Sequence, residues 1–314
     1  MSRLTIAIPS KGRLKENAEA WLAKAGFKLK QAGGERGYTA ELSGLPEAEV
    51  LLLSAREIAQ GLIEGAFHLG VTGEDLLHDL SADLSRDAEV IKRLEFGGAD
   101  VVVAVPAAWL DVNTMAELEA AGARFRQRHG RRMKVATKYL RLTRNYFAQK
   151  SVGEYRLVES AGATEAAPSS GQAEVVVDIT STGATLKANG LKVLDDGVIL
   201  RSRAALTGSI RAVWDEESLR ALKKILSSIE AYEASQDTKI LSAAKSIPTS
   251  LLEGEGTKAI SATSILVASL EAVEFAQKIA ESGAGPVSIT SSEFIFDQES
   301  PAFKKFVTKL KPGA

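Results

Sequence analysis

The sequence predicts an α/β protein with two lobes and a small additional domain at its C-terminus, and three observations carry that expectation. Short apolar runs such as "RLTIAIP" and "EVLLL" alternate with segments whose apolar residues recur at helical spacing. The runs are continuously apolar rather than alternating, as in parallel strands buried on both faces. Composition changes near Pro106 and again near Gly197. This divides the chain into 1–106 plus 196–235 as a first lobe, 107–195 as a second lobe inserted into it, and 236–314 as a small α/β domain.

The elements follow in order. "RLTIAIP" is a strand stopped by Pro9, and Leu14, Ala18, Trp21, Leu22 and Ala25 place the next helix before Gly26 ends it. "EVLLL" leads to the helical "AREIAQGLIEGAF", "HLGVT" to "GEDLLHDL", and "ADVVVAVP" to a polar helix from about Asn113 to His129. "RMKVAT" precedes "KYLRLTRNYFAQK", "EYRLVES" precedes "GATEAAPSS", and "AEVVVDI" precedes "TGATLKANG". "GVILRSRAALTGSIRAVW" carries the chain back to the first lobe, and Leu219, Leu222, Leu226 and Ile229 mark a further amphipathic helix. The polar "EASQDTK" reads as a linker to a tail in which "AISATSILVASLEAVEFAQKIAESGAGPVSIT" gives strand, helix, glycine-rich turn and strand.

Composition removes several classes of function. A formal net charge of −1 over 314 residues gives no electrostatic footprint for nucleic acid. The absence of cysteine removes disulfides, thiolate metal sites and thiol nucleophiles. The N-terminal apolar stretch is too short for a signal peptide and no run reaches the ~20 apolar residues of a membrane span. The expectation is a soluble cytoplasmic protein. His68, His78 and His129 lack metal-ligand spacing and read as packing or surface residues.

Four strand-to-helix edges hold the residues with chemistry. In "VVVDITSTGATLKANGL" an apolar strand stops on Asp178, and Gly183 permits a tight turn into a helix among Thr180, Ser181, Thr182 and Thr185. Hydroxyls and amides at such a turn suit a phosphate, and Asp178 beside them suits sugar hydroxyls. An ordinary capped helix is the competing reading. In "PSKGRL", Lys11 and Arg13 flank Gly12 and suit a diphosphate, unless both are merely solvated. In "LGVTGEDLL", Gly70 and Gly73 allow close ligand approach at Thr72 and Gly73, while Glu74 and Asp75 are also expected from the helix dipole alone. "VATKYLRLTRNYF" offers Lys138, Tyr139, Arg141 and Arg144 to a nucleotide, with Tyr146 and Phe147 as core.

Taken in order, "IAIPSKGRL", "AREIAQGLIEGAFHLGVTGEDLL", "FGGADVVVAVP", "VATKYLRLTRNYF", "GATEAAP" and "VDITSTGATLKANGL" resemble the ATP phosphoribosyltransferase family over about residues 1 to 205. The resemblance implies a catalytic region like type II periplasmic binding proteins and Mg²⁺ as cofactor. It also implies condensation of ATP with phosphoribosyl pyrophosphate, the first step of histidine biosynthesis. By position, Thr180, Ser181, Thr182, Gly183, Ala184 and Thr185 would hold the ribose 5-phosphate, and Asp178 with Glu165 the ribose hydroxyls. Lys11 and Arg13 would face pyrophosphate or the ATP phosphates, and Gly73, Asp75 and Tyr139 would line the nucleotide site. Lys11, Arg13 and Asp178 are then the catalytic candidates, and no side-chain metal ligand stands out.

The sequence departs from the family in three places. Ser10 is inserted before Lys11, Ser54 stands where many members carry Arg with Arg56 two residues later, and the tail is divergent. Long members append a ferredoxin-like regulatory domain that binds histidine. The tail is therefore expected to support a homo-oligomer and histidine inhibition. A non-catalytic regulatory homologue and a two-lobed small-molecule binding protein are the alternative readings.

Overall fold

The computed structural model describes residues 3–31, 38–160 and 162–310. The elements run β1 (Leu4–Pro9), α1 (Gly12–Lys24), β2 (Leu29–Gln31), β3 (Thr39–Leu42), β4 (Ala48–Leu53), α2 (Ala55–Glu64), β5 (Leu69–Gly73), α3 (Glu74–Leu80), α4 (Leu84–Asp87) and β6 (Ala88–Arg93). There follow β7 (Ala99–Pro106), α5 (Met115–His129), β8 (Met133–Thr137), α6 (Leu140–Gln149), β9 (Tyr155–Glu159), β10 (Val175–Thr180), α7 (Ala184–Ala188) and β11 (Leu191–Ser202). The chain ends with β12 (Ala204–Ser209), α8 (Glu216–Asp237), β13 (Thr238–Ala243), α9 (Thr249–Leu252), β14 (Thr257–Ser261), β15 (Ser264–Ala268), α10 (Ala272–Ile279), β16 (Val287–Thr290) and α11 (Pro301–Leu310).

Three sheets organise these elements. A seven-stranded sheet has the order β2-β3-β4-β1-β5-β12-β6, and a five-stranded sheet the order β11-β7-β10-β8-β9. Continuous hydrophobicity has its expected cause in both. In the first, Leu4, Ile6, Ile8, Val50 and Leu52 pack under Leu222, Ile225, Leu226 and Ile229 of α8. On the opposite face Ala7 meets Ile58, Ala59 and Leu62 of α2. Each fully buried Leu or Ile contributes roughly 2 kcal/mol of transfer free energy. In the second sheet Val101, Val103, Val135, Val175 and Val177 bury one face against Met115, Leu118 and Phe147.

The sheets are mixed rather than parallel. β1 is parallel to β4 and β5, and β8 to β9 and β10, but β12 runs antiparallel to β5 and β7 antiparallel to β10. β7 and β12 are strands beside the crossings between lobes, a constraint that composition does not encode, and β3 also runs antiparallel to β4. For the same reason β7, expected in the first lobe, pairs within the second sheet through Asp178↔Val102. The chain passes between the sheets at 94–98 and at Arg203. These crossings are tied together by Leu94 N donating to Ala204 O (2.8 Å) and Ala204 N to Phe96 O (3.3 Å).

The tail forms a four-stranded sheet of order β14-β15-β13-β16 in a β-α-β-β-α-β chain, the ferredoxin-like arrangement. Where a single strand was expected before the helix, β14 and β15 form an antiparallel hairpin. "EASQDTK" is not a linker. α8 runs unbroken to Asp237, and Ser235 Oγ donates to Glu293 O at 2.8 Å, so the polar last turns are covered by a returning segment. α11 then leaves the third sheet and seats Phe306 in the first-lobe core, edge-on to Trp214 with centroids 5.2 Å apart.

Candidate functional site

β8 and β10 lie parallel with Val177 opposite Thr137, so the chain beyond Thr137 meets Asp178 at the carboxyl edge of the second sheet. Lys138 brings its ammonium to 3.7 Å from Asp178 Oδ1, which also accepts from Ile179 N at 2.8 Å. Asp178 is only 9% exposed. Burial pushes its carboxyl above the usual range; the Ile179 amide and Lys138 oppose the rise, and the nearby Glu165 carboxylate adds to it. Glu165 lies on a 3-10 turn, Thr164–Ala166, entered through Ala163 at φ 43, a strained conformation for a residue with a side chain.

The hydroxyl-rich loop closes the edge. Gly183 has φ 74, and its N–H donates to Thr180 Oγ1 at 2.9 Å. Ala184 N donates to Thr182 Oγ1 at 3.4 Å. Ser181, Thr182, Ala184 and Thr185 are exposed. The helix after the turn is shorter than expected, Ala184–Ala188. An anion would therefore be held by local hydroxyls and amides rather than by an extended helix dipole.

Across the lobes, the start of α3 meets the start of α6. Tyr139 Oη donates to Asp75 Oδ2 at 2.8 Å, Ser202 Oγ donates to Asp75 Oδ1 at 2.8 Å, and Asp75 N donates back to Ser202 Oγ at 3.0 Å. Tyr139 is 1% and Asp75 5% exposed. Burial raises the Tyr139 phenol, and the Asp75 carboxylate raises it further, so the hydroxyl stays protonated and donating. One turn on, Asp79 Oδ1 accepts from Arg141 N (2.9 Å) and Leu142 N (3.1 Å), capping α6 from the other lobe. Burial raises the Asp79 carboxyl, and those amides together with Arg56 and Arg141 lower it in part. A Cβ at Gly73 would fall 2.2 Å from Asp75 Oδ1. The glycine thus makes room for the folded-back carboxylate of Asp75.

Lys11 precedes the first turn of α1 in extended conformation and, like Arg13, is exposed at the edge where β1 ends. The inserted Ser10 extends the strand, its N–H donating to Leu53 O at 2.8 Å. Ser54 caps α2 by exchanging hydrogen bonds with Glu57. Arg56 sits in the first turn of that helix near Asp79.

The expected residues fall into two groups. Asp178, Glu165 and the 180–185 loop gather at one edge, whereas Asp75 and Tyr139 are engaged with each other. Two partners were not foreseen. Ser202 and Asp79 carry no local signal, because their contacts lie 127 and 62 residues away in sequence. Lys138 was legible as a basic residue but not as the partner of Asp178. Among the described residues, no group of three or more His, Cys, Asp or Glu side chains is placed to hold a metal. No described helix is long and apolar enough to cross a membrane.

Comparison with known proteins bears directly on this arrangement. Residues 54–231 match the HisG family, described as ATP phosphoribosyltransferase. The ATP phosphoribosyltransferase of Caulobacter vibrioides (strain NA1000 / CB15N) is 47% identical, with 98% of this chain and 98% of that protein covered. The enzyme of the same name from Rhodopseudomonas palustris (strain BisB18) is 46% identical over the same shares. These matches run through the tail as well as the two lobes. Among solved structures, the ATP phosphoribosyl transferase (HisG:HisZ) complex from Thermotoga maritima aligns with a TM-score of 0.55 at 24% identity, covering 72% of this chain and 98% of that one. That likeness speaks for the fold. The chain belongs to the ATP phosphoribosyltransferase family.

Proposed function

We propose that the cleft between the two lobes condenses ATP with phosphoribosyl pyrophosphate, giving phosphoribosyl-ATP and pyrophosphate at the entry to histidine biosynthesis. The observation that carries the site is the buried Asp178 at the carboxyl edge of β10, faced by Lys138 and Glu165 and flanked by the hydroxyl loop 180–185. In this reading the loop holds the 5-phosphate through Thr180, Ser181, Thr182, Gly183, Ala184 and Thr185. Asp178 and Glu165 accept hydrogen bonds from the ribose hydroxyls.

The lone pair of an adenine ring nitrogen forms the new bond to the anomeric carbon, and the electrons of the breaking C–O bond leave with pyrophosphate. The two carboxylates, already fixed beside the ribose, favour the positive character that grows on it. The exposed cations Lys11 and Arg13, at the end of β1, face the departing diphosphate. The clamp of Asp75, Tyr139 and Ser202 sets the separation of the lobes, and so the approach of one substrate to the other. On this proposal Mg²⁺ would supply counter-charge to the polyphosphate substrates.

Incubation with ATP, phosphoribosyl pyrophosphate and Mg²⁺ should give the ultraviolet change of N-alkylated adenine. No product at any enzyme concentration rejects the reading. The ferredoxin-like tail serves, on the same proposal, as a histidine-sensing and homo-oligomerising domain of a cytoplasmic enzyme. A steady-state rate indifferent to added histidine would remove the sensing role.

A further inference from the structure

Lys138 stands between two buried neighbours where β8 ends. Thr137 and Tyr139 are both enclosed, and Tyr139 N donates to Thr137 Oγ1 at 2.9 Å, which fixes the backbone on either side. The Lys138 side chain, 44% exposed, brings its ammonium to 3.7 Å from Asp178 Oδ1 and 5.4 Å from the centre of the Tyr139 ring. Among the described residues it is the only ion-pair partner of Asp178. The other groups that face this carboxylate are the Ile179 amide, the Glu165 carboxylate from the 3-10 turn and the Tyr139 phenol from the start of α6, while β7 sets Val102 opposite it. A buried acid with a second acid nearby holds on to a proton. Once protonated, Asp178 would be a weaker acceptor for ribose hydroxyls and would no longer favour positive charge on the ribose. A single half-exposed ammonium opposes that outcome, and because it stays hydrated it can leave at little cost.

We propose that Lys138 is a positioning residue for the reaction, the counter-ion that keeps Asp178 charged before phosphoribosyl pyrophosphate binds and that gives way to the ribose hydroxyls when it does. The inference rests on the transferase reading and deepens it, since neither the hydroxyl loop nor the clamp of Asp75 and Tyr139 supplies a positive charge at this point. Two roles separate at one edge. Asp178 touches the sugar, and Lys138 acts only through Asp178.

The test compares the full chain with Lys138→Met and Lys138→Arg in steady-state kinetics across pH at saturating ATP. Lys138 is exposed, so both variants should fold as the parent does. The pH profile of kcat/KM reports ionisation before the varied substrate binds, and that of kcat reports ionisation in the complex. The acid limb of kcat/KM for phosphoribosyl pyrophosphate should therefore move to higher pH in Lys138→Met, a loss of roughly threefold to tenfold on that limb. The limb of kcat should stay in place, and Lys138→Arg should restore the parent profile. A loss equal at every pH, a limb that moves equally in kcat, or no loss at all overturns the proposal.

Denaturant unfolding decides the same point without turnover. Asp178→Asn removes a buried charge at neutral pH, so its gain in unfolding midpoint should be larger in the Lys138→Met chain than in the parent. The difference should vanish in acid, where Asp178 carries its proton in both. Equal gains in the two backgrounds at neutral pH overturn the proposal. Failure of the parent to form product would reject the transferase reading, and the unfolding comparison would still show whether Lys138 is the counter-ion.

Discussion

Asp75 and Asp178 both lie near the carboxyl end of a buried strand, Asp75 in the first turn of α3 just after β5 and Asp178 among the last residues of β10, yet their carboxylates have different fates. Asp75 is consumed by Tyr139 and Ser202 from the opposite lobe. Asp178 accepts one backbone N–H and has a single lysine at 3.7 Å. A carboxylate held on both oxygens by side chains of the opposite lobe ties the structure together, whereas one buried with one oxygen left open can receive a substrate hydroxyl. The contrast teaches that an acid at a strand edge is a site only when the rest of the fold leaves it unfinished.

The largest effect expected from this contrast is on activity. Asp178→Asn should lower kcat/KM for phosphoribosyl pyrophosphate by ~10³, about 4 kcal/mol of transition-state stabilisation. Its circular dichroism should be unchanged, and steady-state kinetics at neutral pH decide the matter. A loss below tenfold would place the ribose elsewhere. Asp75→Ala should act mainly on stability, costing about 3 kcal/mol because Tyr139 Oη and Ser202 Oγ stay buried without their acceptor. Tyr139→Phe should cost nearer 1 kcal/mol. Denaturant melts that reverse this order would break the distinction between the two aspartates.

A smaller effect belongs to the loop. No atom lies within 4 Å of a Cβ built at Gly183, so the obstacle to a side chain there is the φ of 74 rather than crowding. Gly183→Val should cost about 1–2 kcal/mol of loop strain and raise the KM for phosphoribosyl pyrophosphate. Gly183→Ala should show a milder version, and an unchanged KM in both would detach the loop from the phosphate.

The smallest effect is the pH dependence carried by Asp178. Folding raises its carboxyl above the ordinary 3.8, so between 3.8 and the folded value the folded chain binds more protons than the unfolded one. Its contribution to stability is thus present below 3.8 and lost as pH rises through the folded value. Asp178→Asn has no such loss. Its Tm should match the parent's in acid and exceed it at neutral pH. A gap that narrows with rising pH would contradict the sign.

Legibility differed between these regions for physical reasons. Asp178 and its loop were readable because strand, carboxylate, glycine and hydroxyls are contiguous in the chain, and local geometry follows from local sequence. The cap of α2 by Ser54 is local too, since Ser54 and Glu57 stand three residues apart in the chain. The end of α8 was misjudged because polar residues read as solvated until Glu293, 58 residues beyond Ser235, supplies their cover.

The sequence by itself determined the α/β class, the placing of continuous apolar strands in buried sheets, the family, and the turn at Gly183 with its hydroxyls. Those rest on periodicity, residue type and order, which survive without knowing what is near in space. Only the tertiary structure decided that β7 and β12 run against their neighbours, that α11 returns to the first lobe, and that Gly73 yields space to Asp75. It alone brought Asp75 to Tyr139 and Ser202, and Arg56 to the arginines of α6. Such pairings join side chains from separate elements, and no local preference encodes which distant residue will arrive.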